Sequence, residues 1–198
     1  MPARLILIIL IAFSVGAVAA LTLRPDLRSG VMQTGRALVG GPFTLTDQNG
    51  KRVTDQDFRG KYMLVFFGYT YCPDVCPTEL QVMTAALDKL GAKADRVTLI
   101  FITIDPQRDT AEQVGTYVRN FGPRMVGLTG TQAEIDAAAK AYRVYHVKSA
   151  GGSDPDNYLM DHSTLVYLMD PQGEYVTHFN YGLSADQMAE RISKAIAG

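Results

Sequence analysis

Positions 62–68 read YMLVFFG, an apolar and aromatic run without a charge, and the turn YTYCPDVCP follows it directly. A strand with one wet face alternates apolar with polar residues, so a continuous run of this kind predicts a strand covered on both faces. Leu80, Met83, Leu87 and Leu90 then recur at three- and four-residue spacing, giving one apolar helical face that ends at Gly91. A buried strand that turns directly into an amphipathic helix restricts the chain to layered architectures in which helices cover a sheet.

The rest of the chain agrees with that restriction. Residues 42–47 and 51–54 flank Gln48-Asn49-Gly50, where Asn-Gly supplies the positive φ angles of a tight hairpin turn. Strands are predicted at 97–104 and 125–128, and helices at 110–121 and 131–142. The β-type runs 165–169 and 174–179 are joined by Asp170-Pro171-Gln172-Gly173, and a helix over 184–196, capped by Ser184, closes the chain. The expectation is one α/β domain over 41–198: a mixed sheet with helices on both faces and an N-terminal β-hairpin. No repeat or low-complexity segment interrupts it.

Ahead of that domain, residues 5–23 (LILIILIAFSVGAVAALTL) contain no charge and lie between Arg4 and Arg24. As a helix they would span roughly 28 Å, close to a bilayer core, which predicts a transmembrane anchor preceded by a short cytoplasmic stretch, 1–4. A cleaved signal peptide is the competing reading, because Ala17-Val18-Ala19 fits a small-residue cleavage pattern. Met-Pro-Ala-Arg leaves no room for a transit peptide, which points to a bacterial inner membrane with the domain facing the periplasm. Residues 24–40 read as a tether whose flexible reach is about 21–25 Å. Lys+Arg number 19 and Asp+Glu 20, so bulk electrostatics attract neither nucleic acid nor an acidic surface.

Export changes how the two cysteines are read. In an oxidising compartment a pair is commonly a structural disulfide, yet a five-residue loop would stabilise little by loop closure. Cys72 and Cys76 lie beyond the carboxyl end of a buried strand, where open α/β sheets build their sites. Pro77 suits the first helical position, which would put Cys76 at the N-cap, where the helix dipole favours its thiolate. Thiolates select soft ions such as Cu(I), and an imidazole extends acceptance to Cu(II), whereas a structural zinc site needs four ligands. Of three histidines, His146 and His178 lie in strand-like runs (VYHV, VTHF) and read as ordinary surface or cross-strand residues. His162, in Asp161-His162-Ser163 just ahead of a strand over 164–169, is free to lie over the cysteine turn.

Three separated motifs, Cys72-Pro73-Asp74-Val75-Cys76-Pro77, Asp105-Pro106-Gln107-Arg108-Asp109-Thr110 and Asp161-His162, occur in this order. Together they resemble the Sco/SenC family of membrane-anchored copper chaperones for cytochrome c oxidase, and the resemblance covers nearly everything after the tether. It implies a thioredoxin-like fold on which Cys72, Cys76 and His162 bind copper. It also implies a partner, the oxidase subunit that carries the binuclear copper centre. Asp105 and Arg108 are expected beside the site, Asp105 either tuning copper, receiving a partner's charge or only ending a strand. Asp161 is expected to orient the imidazole through its second nitrogen. Asp109 reads as a helix cap, Asp74 as facing solvent or a partner, and Tyr69 and Tyr71 as an aromatic rim.

Two functions compete. One is a metallochaperone that passes copper on by ligand exchange. The other is a metal-independent thiol-disulfide oxidoreductase that keeps the oxidase subunit's cysteines reduced through Cys72 and Cys76. They can be stages of one cycle, since copper binds only the reduced pair. Nothing in the sequence resembles a Ser-His-Asp triad, a P-loop or a dinucleotide-binding loop.

Overall fold

The computed structural model describes residues 38–149 and 158–197. The expected membrane segment 5–23, residues 1–4 and positions 24–37 of the expected tether lie outside the described residues. Among the described residues, no helix is long and apolar enough to cross a membrane.

The elements in chain order are β1 (Thr44–Asp47), β2 (Arg52–Thr54), β3 (Tyr62–Gly68), α1 (Val75–Lys89), β4 (Val97–Thr103), α2 (Ala111–Val118), β5 (Met125–Thr129), α3 (Gln132–Ala141), β6 (His146–Lys148), β7 (Met160–His162), β8 (Val166–Met169), β9 (Tyr175–Phe179) and α4 (Ala185–Ala197). Seven strands form one sheet in the order β2-β1-β5-β4-β3-β8-β9, with β3, β4 and β5 parallel and the outer pairings antiparallel. Every residue of β3 is buried, as its continuous apolar run requires. The hairpin turn departs from expectation, because Gly50 has φ 81° while Asn49 does not enter the left-handed region. Asp47 Oδ1 accepts from the Asn49 and Lys51 N–H groups at 2.8 and 2.9 Å, so a carboxylate stabilises the turn instead.

Alternation of side chains along β3 decides which helix lies on which face. On one face a Cβ added to Gly68 would meet Cys76 Sγ of α1 at 2.9 Å, and the Tyr62 hydroxyl donates to the Ala195 carbonyl of α4 at 2.9 Å. Phe101, beside Phe66 on the same face, meets Tyr117 of α2 with ring centroids 5.4 Å apart. On the other face Phe67 packs on Tyr142, directly after α3, at 5.3 Å. Among the described residues α1, α2 and α4 therefore cover one face and α3 the other, in the mixed α/β arrangement expected.

Strands β6 and β7 form a separate two-stranded sheet with His146 opposite His162. His162 thus ends its own short strand rather than leading into β8, which begins at Val166. Three-residue strands are too short for a period-2 pattern to register in sequence.

Candidate metal centre

The chain leaves β3 at Gly68 and enters α1 at Val75, with Asp74 at the N-cap. Cys76 and Pro77 are therefore the second and third helical residues, shifted by two from the expected register. Pro77 is tolerated there because N–H groups of the first turn have no intrahelical acceptor. The shift changes which sulfur the helix serves: Cys76 N–H donates to Cys72 Sγ at 3.3 Å. Cys72, half-buried, rather than the fully buried Cys76, receives the positive end of the helix.

The two thiols, both free, differ accordingly. A hydrogen bond from the Cys76 thiol, chiefly, with help from His162 and the Cys76 and Asp74 N–H groups, outweighs burial and lowers the Cys72 pKa to about 4. The thiolate of Cys72 pushes Cys76 upward, and burial adds to the rise. One proton is held on the inner sulfur while the outer one is ionised.

His162 Nε2 lies 3.5 Å from Cys76 Sγ, and its Nδ1 lies 2.9 Å from the Ser163 carbonyl. A carbonyl only accepts, so Nδ1 carries a proton toward Ser163 and Nε2 faces the sulfurs. This corrects the role expected of Asp161, which is exposed; consecutive strand residues point to opposite faces, so the backbone orients the ring. Phe66 and Tyr69 stand edge-on to the imidazole, each 6.0 Å away. Tyr69 is buried and Tyr71 is 52% exposed, so the aromatic wall is made by Tyr69 with Phe66. Asp74 is exposed, as expected. His146 Nε2 approaches Asp136 at 3.4 Å, and the exposed His178 pairs with the Tyr175 hydroxyl. Neither belongs to the cluster.

Among the described residues Cys72, Cys76 and His162 form a group whose ligand atoms all lie within 4.8 Å of one another. Sulfur and nitrogen donors sit about 2.0–2.3 Å from a bound first-row ion such as zinc, hence up to about 4.6 Å from each other. Three donors around one ion lie about 4 Å apart or less, so shifts of about 1 Å or less would close this set on one ion. Two sulfurs and one imidazole are a soft set suited to copper rather than magnesium or calcium. The group opens into a cleft of about 310 Å³ that Cys72, Pro73, Leu159 and His162 line.

Asp105 and Asp109 are both buried. Asp105 Oδ2 accepts from Arg108 Nε at 2.6 Å and Oδ1 from the Tyr158 hydroxyl at 2.7 Å, so both oxygens are engaged within the protein. Asp109 is not the helix cap; Thr110 Oγ1 accepts from Gln113 N–H in that role. The Asp109 carboxylate instead accepts from Thr70 N–H, Thr70 Oγ1 and Thr103 Oγ1 at 2.9, 2.6 and 2.5 Å, holding the chain two residues before Cys72. Burial raises its pKa against those hydrogen bonds.

Two residues escaped the sequence reading. Tyr158 carries no sequence signal of its contact. Glu79 does, since it falls on the apolar stripe of Cys76, Leu80 and Met83. It is 1% exposed, its Oε1 has no hydrogen-bond partner among the described residues, and burial raises its pKa to about 7.

A family profile described as SCO1/SenC matches residues 31–197. The human protein named "Protein SCO1 homolog, mitochondrial" is 44% identical over 162 residues, 80% of this chain and 53% of that protein. Mouse and Arabidopsis homologues are similarly covered, so the chain spans about half the length of the curated relatives it matches. A crystal structure of Arabidopsis thaliana ScoI with copper bound superposes with a TM-score of 0.76 at 41% identity, covering 80% of this chain and 98% of that one. For Bradyrhizobium japonicum ScoI with copper bound the TM-score is 0.72 at 46% identity, covering 79% and 98%.

Proposed function

The chain belongs to the SCO1/SenC family, and from that premise we propose that Cys72, Cys76 and His162 take up copper as cargo and deliver it to the binuclear copper centre of cytochrome c oxidase. One observation carries the reading: two thiols and an imidazole, with His162 86 residues beyond Cys76, converge within 4.8 Å beside an open cleft. Copper-bound structures of two relatives support it. Cys72 is already a thiolate, so the proton that copper displaces comes from Cys76, and uptake strengthens as pH rises. Three donors leave a position where an incoming thiolate of the oxidase subunit starts ligand exchange. The apolar segment 5–23 anchors the domain at the periplasmic face of a bacterial inner membrane, and residues 24–40 supply the reach.

The unequal thiols favour a second, coupled reading. Cys72 thiolate attacks a partner disulfide and releases one partner thiolate, and Cys76, losing its proton, attacks Cys72 to release the other. The partner leaves as a dithiol and this protein as a disulfide, which cannot hold copper until an external dithiol reduces it.

Full-length protein, reduced and oxygen-free, is titrated with Cu(I) against a competing chelator, and with Cu(II). One copper per chain is expected, lost in Cys72→Ser/Cys76→Ser, with Cu(II) weakened most in His162→Ala. Unchanged affinities in His162→Ala remove the imidazole from the site, and stoichiometric copper in the double serine variant refutes the site altogether. A measured dithiol potential too oxidising to reduce a partner disulfide removes the second reading, and recovery of the full-length chain in the soluble fraction removes the anchor.

A further inference from the structure

We propose that Asp105, acting through Tyr158, positions His162 over the cysteine turn, so that one short turn between β4 and α2 registers both halves of the copper site. The inference rests on the copper reading above and assigns residues that do not themselves touch the cargo.

The β6–β7 sheet that carries His162 is two strands of three residues each. An isolated two-stranded hairpin is marginal in water, so this one needs an external anchor. It is also sensitive to register, because a one-residue slip would turn His162 to the opposite face. The anchor is at the end of the hairpin away from His162. Tyr158, two residues before β7 and buried, donates its hydroxyl to Asp105 Oδ1 at 2.7 Å. The Arg108 guanidinium, itself bonded to Asp105, lies 3.6 Å from the Tyr158 ring centroid. Lys148 of β6 reaches the same ring at 3.9 Å and donates to Gln107 Oε1 at 3.0 Å. Both strands are thus tied to residues 105–108.

The same turn holds the cysteine half. Thr103 Oγ1 donates to Asp109 Oδ2 and accepts from Asp105 N–H, at 2.5 and 2.9 Å. Asp109 in turn holds Thr70 on the approach to Cys72. Two carboxylates four positions apart, joined by Asp109 N–H donating to the Asp105 carbonyl, therefore face opposite halves of the site. Their shared backbone sets the separation between imidazole and sulfurs.

The test uses reduced full-length protein with and without copper. Tyr158→Phe keeps the ring and its cation contacts but removes the hydroxyl. In the copper-free protein the His162 ring protons are expected to lose the NMR shifts that Phe66 and Tyr69 induce, and amides of residues 146–148 and 160–162 to exchange faster with deuterium. Cu(II) affinity is expected to fall about 10- to 100-fold with loss of the nitrogen coupling in electron paramagnetic resonance, as when a ligand's supporting contacts are removed. Cu(I), held by the cysteines, stays bound. Asp105→Ala should reproduce this, and Asp105→Asn, which keeps an acceptor for Tyr158, should restore the wild-type signature; this pair carries the test alone if Tyr158→Phe cannot be purified. Wild-type His162 shifts and Cu(II) affinity in Tyr158→Phe and Asp105→Ala, or equal loss of Cu(I) and Cu(II), overturn the proposal. Wild-type protein that shows no nitrogen coupling refutes the copper reading instead, while the copper-free shifts still report on positioning.

Discussion

Replacing Cys76 by Ala in the reduced, metal-free protein is expected to raise the pH at which Cys72 becomes nucleophilic. The Cys76 thiol is the largest contributor to the low Cys72 pKa of about 4, ahead of His162 and the helix N–H groups. A hydrogen bond to a charged acceptor contributes about 1.5–3 kcal/mol, which at 1.36 kcal/mol per pKa unit is about 1–2 units. Cys72 is half-exposed, so solvent screening holds the change to about 1 unit. The assay is the pH dependence of alkylation by iodoacetamide. In Cys76→Ala, Cys72 is the sole thiol and the rate has one source; in His162→Ala, the buried, protonated Cys76 stays silent. His162→Ala is expected to move the midpoint upward by less. Either of two results would refute the ranking: an unmoved midpoint in Cys76→Ala, which would transfer the effect to the remaining donors, or a larger shift in His162→Ala, which would transfer it to the imidazole. The linkage has a definite sign. The folded pKa lies below the unfolded value, so this stabilisation is complete above the unfolded thiol pKa and disappears as pH falls through about 4.

Glu79→Gln is expected to stabilise the protein by about 1–2 kcal/mol at pH 8 and to change little at pH 4.5. Burial raises the Glu79 pKa from 4.5 to about 7, so the wild type is progressively penalised as pH climbs through that window; equal urea midpoints at both pH values would contradict this. Tyr117→Phe removes a buried hydroxyl that has no hydrogen-bond partner among the described residues, and should be neutral or stabilising by about 1 kcal/mol in thermal melts. Gly68→Ala would drive a Cβ to 2.9 Å from Cys76 Sγ and 3.1 Å from Phe101, and should cost about 1–3 kcal/mol of stability while weakening Cu(I) binding. Native copper affinity in that variant would show that the sulfur is freer to move than its packing implies.

Strand β3, helix α1 and the placement of Cys72 and Cys76 between them were legible because each signal is local: a long apolar run, a helical stripe, a turn rich in proline. His162 was legible only as one of three motifs, since nothing in its neighbours distinguishes it from His146, which sits directly opposite it across the β6–β7 pair. Sequence alone determined the layered α/β class and the soft donor types at the site. Tertiary structure decided which sulfur is ionised, because that depends on which thiol donates to the other and on which sulfur His162 and the N–H groups of α1 reach. It also decided that Ser163, not Asp161, orients the imidazole, and that Asp109 steadies the cysteine turn instead of capping a helix. The Asp105 to Tyr158 contact spans 53 residues. A periodic pattern reports what a segment does with its own neighbours, whereas a hydrogen bond between two turns exists only once the sheet has brought them together.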